Sequence, residues 1–529
     1  MVPDSAANTL WRPLRTPTFR NLIVADIVSD IGTFMQGVGA AWLMISFGAS
    51  PMYVALTQTA STLPFFVLAL PAGSVGDIVD RRKLILWTEA WMVAVAIALA
   101  TLTIDGRMSP GLLLALTFAL SAGDAFESPT WRAILPELVR KEDLAAASAL
   151  NGIEFNIARA VGPALAGVLI AVAGVGAAFV VNVLSFVGVI LVVAQWHRPN
   201  RQRTAPAETV SGATVAAIRY VRYSPAIRAV MLRVGTVMFF GSALLALLPA
   251  VAHGVNDSAL AYGLLLGCFG AGAVLGALAM RPALSRWSTE TVASTGVVVL
   301  GVTIMGAGAV HVLSVLSIVM VVGGGAWIVF IAIVNTLVQK LAPDWVRARV
   351  LAVFLLVSQG SMALGSAAWG AVGERVGISM ALLWAGVGTI VTSALGLVSR
   401  LPEAPADLSP WNHWRMSAVL KETGPKLDEG PVLVTVEYRV ERERTADFVA
   451  AMYQYGRVRR RDGASRWGIF HDPEAPGRYV ETFVVDSWGE HLRQHARQTQ
   501  ADRALEDRLL SHVVGVPAVR HLIHVPRHN

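Results

Sequence analysis

The sequence predicts an all-α polytopic membrane protein, twelve transmembrane helices in two six-helix halves, followed by a small soluble α+β domain. Three observations predict it. Of 529 residues, 54% are hydrophobic and only 15% charged, whereas soluble chains carry about a quarter charged residues. The charges are also segregated: residues 1–399 hold 42 of them, and residues 431–529, a quarter of that length, hold 28. Finally, about a dozen apolar stretches, each near the roughly 20 residues a helix needs to cross a bilayer, lie before residue 400.

In order, the first six stretches run at 21–46, 53–75, 84–104, 112–135, 144–172 and 177–195. The second six run at 227–251, 259–280, 291–310, 313–338, 350–372 and 380–398. One such stretch alone reads equally well as a buried core helix; a dozen in series does not. Basic residues crowd the even-numbered connections, for example Arg81, Arg82 and Lys83, then Arg198, Arg201, Arg203, Arg219, Arg222 and Arg228. The odd-numbered connections hold only Arg107 and Arg375. The positive-inside bias therefore puts both termini and the long middle loop in the cytoplasm, with the chain in the inner or plasma membrane. That bias explains the net charge of +7 without a nucleic-acid partner. The single cysteine, Cys268, sits in an apolar run, so no disulfide framework or cysteine metal site is available within one chain. The first stretch is too long for a signal peptide and lacks a small-residue cleavage site.

The middle loop, 197–224, separates a first bundle at 1–196 from a second at 225–399. The halves resemble each other. Pro136-Glu137-Leu138-Val139-Arg140 follows the fourth stretch, and Pro343-Asp344-Trp345-Val346-Arg347 follows the tenth. At an offset of 203, Gly162 and Gly167 fall on Gly365 and Gly370, and Gly73 falls on Gly276. Such matches indicate a duplicated bundle, an architecture common among secondary transporters. Residues 400–430, rich in Pro and charge, read as a linker. Beyond it, 432–440 alternates like a strand, 444–459 reads as a helix, and 466–471 and 478–485 read as strands. A helical stretch at 488–513 and a strand at 518–525 complete a βαββαβ order, the ferredoxin-like split unit, over 431–529.

Between the second and third stretches runs Gly73-Ser74-Val75-Gly76-Asp77-Ile78-Val79-Asp80-Arg81-Arg82-Lys83. This resembles the signature of the major facilitator superfamily: a Gly, an Asp four residues on, then a basic cluster. Ile78 departs from it, since the family most often has Arg there. Gly73 would allow close helix approach, and Asp77 would cap a helix or pair with an Arg across the halves, with Arg81 and Arg82 completing a gating motif. A plain positive-inside loop is the other reading. Met280 stands at the matching place in the second half, so any latch is asymmetric.

A longer block runs from Glu127-Ser128-Pro129-Thr130-Trp131-Arg132 to Pro136-Glu137-Leu138. It continues through Ala149-Leu150-Asn151, Asn156-Ile157-Ala158-Arg159 and Gly162-Pro163-Ala164-Leu165-Ala166-Gly167. With Ser29-Asp30-Ile31-Gly32-Thr33, it closely resembles the superfamily branch called transmembrane secretion effectors, which includes enterobactin-exporter-like proteins, over nearly all of residues 10–400. Members of that branch also carry a soluble domain with a Trp488-Gly489-Glu490-His491-Leu492 counterpart. The resemblance implies a transporter rather than an enzyme, with no cofactor, exporting a small molecule, usually against protons. Gly162, Pro163 and Gly167 resemble part of the exporters' antiporter signature, although Ala158 and Arg159 replace its preceding Gly. Physically, Pro163 kinks a helix and the glycines permit close packing, with or without a coupling role.

Charges inside spans are the candidate site, because each is costly facing lipid. Asp26 and Asp30 are one turn apart in the first stretch, Asp124 and Glu127 lie in the fourth, and Glu154 and Arg159 in the fifth. Two acids in one low-dielectric cavity are the natural place for a transported proton; structural ion pairs are the other account. Glu154 and Arg159 point about 140° apart around their helix, so Arg159 needs a carboxylate from another helix: Asp30, Asp124 or Glu127. Phe34, Trp42 and Phe126 are candidate cavity linings. In the soluble domain, His491 and His495 could bind metal at one-turn spacing, but no His-Glu-x-x-His accompanies them, and exposed helix positions are the expected account. The run Arg457–Arg461 could meet anionic lipid or be a solvated helix end. Trp467, Ile469, Tyr479 and Phe483 offer more apolar area than two helices cover, which predicts self-association or docking through the sheet.

These readings converge on a major facilitator exporter of an amphipathic organic molecule (drug, siderophore or secondary metabolite) by proton antiport. The competing reading is a membrane-anchored sensor or small α/β-barrel enzyme. Deleting residues 431–529 would spare export under the first and abolish function under the second.

Overall fold

A computed structural model describes residues 10–196, 210–398, 400–401, 407–411 and 425–525. The side chains of residues 69, 70, 73, 74, 76–78, 210–214, 397 and 398 lie outside that description. The chain forms two compact units. The first comprises Met1–Ala205, Leu232–Val334 and Leu355–Arg400; the second comprises Pro206–Met231, Asn335–Phe354 and Leu401–Asn529.

The first half folds as α1 (Pro17–Ser46), α2 (Pro51–Ile78), α3 (Arg81–Ile104), α4 (Pro110–Leu138), α5 (Leu144–Ala173) and α6 (Val175–Gln195). A further helix, α7 (Val210–Tyr223), occupies the middle connection. The second half follows as α8 (Pro225–Val255), α9 (Ala259–Leu284), α10 (Thr289–Ala309), α11 (Leu313–Leu341), α12 (Asp344–Val376), α13 (Ile378–Ser393) and the short α14 (Leu395–Val398). Among the described residues, ten helices are long and apolar enough to cross a membrane. The 28-residue α2 and the α13–α14 pair supply the remaining two of the twelve expected spans.

Local chemistry sets the ends. Proline opens α1, α2 and α4, where a missing N–H costs nothing. The Asp80 carboxylate accepts from the Lys83 amide at 3.1 Å and caps α3. Gly174 and Gly377, themselves 203 residues apart, turn the chain between α5 and α6 and between α12 and α13 with φ of 79° and 89°. Only glycine adopts that backbone without strain.

The duplication is physical as well as sequential. A β-carbon on Gly162 of α5 would stand 2.7 Å from Phe34 Cβ on α1. One on Gly365 of α12 would strike the Phe239 carbonyl on α8, the matching helix of the second half. Gly167 of α5 lies against Ala259, Leu260 and Gly263 of α9, and Gly370 of α12 lies against Met52 and Ala55 of α2. Each half thus packs its fifth helix on its own first helix and on the second helix of the other half. The α2–α12 seam adds hydrogen bonds from Thr59 Oγ1 to the Ala363 carbonyl (3.1 Å) and from Ser50 Oγ to Glu374 Oε2 (3.1 Å). Both seams lie in the portions of these helices remote from the basic connections.

In the second unit, β1 (Val432–Arg439), α15 (Thr445–Asp462), β2 (Arg466–His471), β3 (Arg478–Val485), α16 (Trp488–Ala496), α17 (Gln500–Leu510) and β4 (Ala518–Ile523) form the soluble domain. Its four-stranded sheet has the order β2-β3-β1-β4, antiparallel throughout, as the split unit requires. Val432, Val434, Val436 and Tyr438 of β1 pack with Phe448, Met452, Tyr455 and Val458 of α15. The single helix expected at 488–513 is two, because Thr499 and Asp502 form a capping box that starts α17 afresh. Part of the expected linker belongs to the domain: the Trp411 amide donates to the Gln498 carbonyl (2.8 Å), and the Trp488 amide to the Glu429 carbonyl (2.7 Å).

The expected sheet face needs correction. Trp467, Ile469, Tyr479 and Phe483 belong to the core under the helices. The opposite face carries Leu433, Val480, Val484, Phe470 and Leu522, the last two 59% and 52% exposed. The basic run is also corrected. Arg459 pairs with the fully buried Glu481 at 3.4 Å, and Arg461 pairs with Asp462 and Asp502, each at 2.7 Å, so neither is a lipid-facing charge.

Helix α7, within the stretch read as the middle loop, packs on α15. Tyr220 is its anchor, 2% exposed. Its hydroxyl donates to the Leu341 carbonyl (3.0 Å), its ring stands edge-on to Trp345, and Arg461 lies 5.4 Å from its centroid. Burial pushes the Tyr220 phenol up to about 12. Beside it, Glu490 accepts from Arg219 (3.1 Å), Arg493 (2.8 Å) and Arg497 (2.5 Å). Burial opposes ionisation of Glu490, but the Arg497 and Arg493 hydrogen bonds and charges outweigh it and hold its carboxyl below the usual range.

Candidate functional site

Six acids and one arginine from four spans converge in the first half. Asp26 and Asp30 stand one turn apart on α1, Glu89 stands on α3, Asp124 and Glu127 on α4, and Glu154 and Arg159 on α5. The packing of α1 against α5 through Gly162 brings Asp30 and Glu154 within electrostatic reach of each other. Across α3 and α4, Glu89 and Glu127 are likewise within electrostatic reach of each other. Glu127 Oε2 also accepts from Thr88 Oγ1 at 2.9 Å. Asp26 accepts from the Trp131 indole nitrogen at 2.8 Å and lies within electrostatic reach of Asp30, Glu154 and Glu127. Against these acids, Arg159 acts on Asp30 and Arg132 on Asp124.

Arg159 departs from expectation. Among the described residues it makes no direct ion pair; its guanidinium lies 4.9 Å from the centroid of Phe155, which in turn meets Phe34 edge-on at 5.6 Å. Phe155 is one turn earlier on the same helical face, and Asp30 is within electrostatic reach of both Arg159 and Glu154. Trp42 meets the His253 ring at 6.3 Å, and Phe126 is half-buried on α4. Glu89 is the residue sequence reading passed over. Its signal was available, since it is a charge inside the third apolar stretch.

Gly73 and Asp77 fall in the last turns of α2, and their side chains lie outside the described residues. Arg81 and Arg82 are engaged within their own half. Arg81 donates to the Ala133 carbonyl and to Glu137, both at 2.8 Å, and Arg82 donates to the carbonyls of Val193 (3.1 Å) and Ala194 (2.6 Å) at the end of α6. In the second half, Arg233 of α8 grips Glu290 of α10 through two bonds of 3.0 Å, a pair that sequence reading did not single out.

In the soluble domain His491 is buried, not exposed as expected. It stacks against Trp488 and His521, and its Nε2 is 3.3 Å from that of His495. Burial, then His521 and Arg459, pull its imidazole down to about 4, which keeps it neutral in ordinary conditions. Among the described residues no group of three or more His, Cys, Asp or Glu side chains is placed to hold a metal ion.

With this geometry in hand, the likenesses to known proteins are informative. The chain is 25% identical over 396 residues to the enterobactin exporter of Citrobacter koseri, covering 72% of this chain and 91% of that one. It is 25% identical over 169 residues to the staphyloferrin A transporter of Staphylococcus aureus, covering 32% of this chain and spanning only 42% of that protein's length. Its fold matches a bacterial homologue of the human lysosomal transporter Spinster, solved in an inward-facing and occupied conformation, with a TM-score of 0.60 at 14% identity, covering 73% of this chain and 97% of that one. The transmembrane secretion effector family matches residues 8–529, soluble domain included. The chain is a multi-pass membrane transporter and belongs to the transmembrane secretion effector family of the major facilitator superfamily.

Proposed function

We propose that this chain exports an amphipathic small molecule, such as a siderophore, drug or other secondary metabolite, in exchange for protons. The observation that carries the reading is the convergence of Asp26, Asp30, Glu89, Asp124, Glu127 and Glu154 from four spans inside one half. Acids in such surroundings are stable only with protons or a cationic group beside them, and exchanging one for the other is what an antiporter does. Phe34 and Phe155 provide apolar surface for the substrate beside these acids. Alternating access follows from rocking the two halves about the α5–α9 and α2–α12 seams. Because the seams lie away from the basic connections, and the positive-inside bias puts those connections in the cytoplasm, this arrangement is closed to the outside. Both termini are cytoplasmic in this reading, and the membrane is the inner or plasma membrane. The open sheet face, with Phe470 and Leu522, supports self-association through the soluble domain.

The test is expression in an efflux-deficient bacterial host across a panel of toxic compounds and siderophores. Resistance, or an elevated extracellular siderophore, that collapses with a protonophore supports the reading. Unchanged sensitivity and secretion across the panel count against it.

A further inference from the structure

Each half opens its first span on a proline, Pro17 in α1 and Pro225 in α8. Five residues before each proline stands a side chain that reaches the connection between that half's fourth and fifth spans. In the first half it is Arg12, whose guanidinium pairs with Asp143, the last residue before α5. Leu10 and Leu14 beside it join the apolar cluster of Leu138, Ala147 and Leu150, which flank the same connection. In the second half it is Tyr220. Its hydroxyl donates to the carbonyl of Leu341, the last residue of α11, at 3.0 Å. Its ring meets Trp345, in the first turn of α12, at 5.8 Å and nearly at right angles. The segment leading into each half is thus fastened to the same place in that half.

What closes the two fastenings differs. The first closes within its own half: Asp143 is buried, and Arg81 of α3 grips Glu137 at the other end of the connection (2.8 Å). At the place of Glu137 the second half has Asp344, whose partner is Arg347 in the same turn (2.6 Å). There the soluble domain supplies the grip. Its Arg497 lies 4.6 Å from the centroid of Trp345, and its Arg461 lies 5.4 Å from that of Tyr220. Both guanidinium groups are already anchored. Arg497 donates to Glu490 (2.5 Å) and to the Asp462 carbonyl (2.7 Å), and Arg461 pairs with Asp462 and Asp502 (2.7 Å each). Glu490 also takes Arg219, the neighbour of Tyr220, at 3.1 Å. A cation facing a ring away from water attracts about as strongly as a hydrogen bond, and a cation held in place beforehand loses little freedom in the contact.

We propose that the soluble domain closes the second fastening, and that Tyr220, Trp345 and Arg497 are positioning residues through which this domain sets the transport rate. This rests on the rocking of the two halves proposed above. Helix α12 runs on from Trp345 to Ala363 and Gly370 in the α2–α12 seam, while Tyr220 leads directly into α8. A half that rocks as a body must carry α12 with α8. With the connection loose, α12 no longer follows α8 through the stroke, and turnover slows while substrate still binds.

The test uses the full-length chain, by hydrogen exchange in detergent and by ethidium efflux from proteoliposomes. In Tyr220→Ala and Trp345→Ala, exchange at the amides of residues 346–352, in the first turns of α12, should accelerate about tenfold. The maximal rate should fall about tenfold as well, with KM within about twofold of wild type. Tyr220→Phe and Trp345→Phe keep two facing rings and should restore most of the rate. Should the alanine variants not fold, Arg219→Gln removes the link to Glu490 and leaves both rings in place; it should speed the same exchange and slow transport by about threefold. Faster exchange with an unchanged maximal rate overturns the rate-setting role. A raised KM with the rate kept also overturns it, because the rings would then be substrate contacts. Unchanged exchange in these variants overturns the fastening itself. A wild type that moves neither ethidium nor any other panel compound counts against the export reading instead, while exchange still decides whether the domain holds the connection.

Discussion

The indole nitrogen of Trp131 on α4 donates to Asp26 Oδ2 on α1 at 2.8 Å, tying two spans of the first half together through an acid. Trp131→Phe keeps the ring and removes the donor, leaving a buried acceptor short of a partner at a cost of about 1–3 kcal/mol. We expect a lower melting temperature with membrane insertion unchanged, measured by a thermal-shift assay of purified protein in detergent. A melting curve superposable on wild type would show that this bond does no mechanical work.

Coupling should fail more selectively than folding. Asp26→Asn and Asp30→Asn preserve shape and hydrogen bonding but hold no exchangeable acid proton. Each should reduce pH-gradient-driven efflux by about tenfold or more while the protein inserts normally. Proteoliposomes report it directly: normal transport together with normal proton flux in both variants would remove these residues from the mechanism.

The α5–α9 seam leaves no room at Gly263, where a β-carbon would stand 2.5 Å from the Pro163 carbonyl and 2.8 Å from Gly167 Cα. Gly263→Val should overpack the seam, destabilising the protein by about 1–3 kcal/mol and abolishing transport. Gly267→Ala, whose new carbon would stand 3.3 Å from the Ala164 methyl and 3.7 Å from the Ala160 carbonyl, should be mild. Equal effects of the two substitutions in a transport assay would contradict the packing described.

Glu490 gathers Arg219, Arg493 and Arg497. Glu490 is partly buried, and removing it leaves the largely buried Arg219 and Arg497 guanidinium groups short of a carboxylate. Glu490→Ala should therefore loosen α7 from the soluble domain, and hydrogen exchange at the amides around Tyr220 should accelerate. Deleting residues 431–529 uncovers Tyr220 and Trp345 as well, so the deletion perturbs the transporter even where the domain has no chemistry of its own.

Acid should destabilise the soluble domain. Its folded state holds the His491 imidazole at about 4, so between pH 6.5 and pH 4 the unfolded chain binds a proton that the folded one refuses. That contribution to stability is complete above pH 6.5 and fades on acidification. The Asp462 carboxyl, pushed up to about 6 by burial, works in the opposite sense between about pH 4 and pH 6. In His491→Phe the acid-induced loss should shrink or reverse, as followed by hydrogen exchange in β1 at a series of pH values.

Much of the fold was legible because apolar length and glycine spacing are linear signals. The helix ends of α3 and α6, and strands β2 and β3, follow from them closely. Helix α7 was not, since its buried side, Ala216, Ala217 and Tyr220, is covered by a domain more than two hundred residues away in sequence. The break at Thr499 was hidden inside an otherwise continuous amphipathic stretch. For the site, five acids could be named from their place in apolar runs, but which acid meets which depends on helix rotation. Arg159 shows the limit: its need for an acidic neighbour was readable, but not that Asp30 would be within reach of Glu154 as well.

The glycine contacts carry a last consequence. The α5–α9 and α12–α2 seams are two renderings of a single ancestral surface, related by an approximate dyad, as in a homodimer later joined into one gene. Drift has since been free to act on each rendering alone, and it has done so unequally. Met280 stands where Asp77 stands in the first half, and the buried acids stand on one side of the dyad. The glycine packing is kept on both sides, while the cluster of buried acids belongs to the first half alone among the described residues.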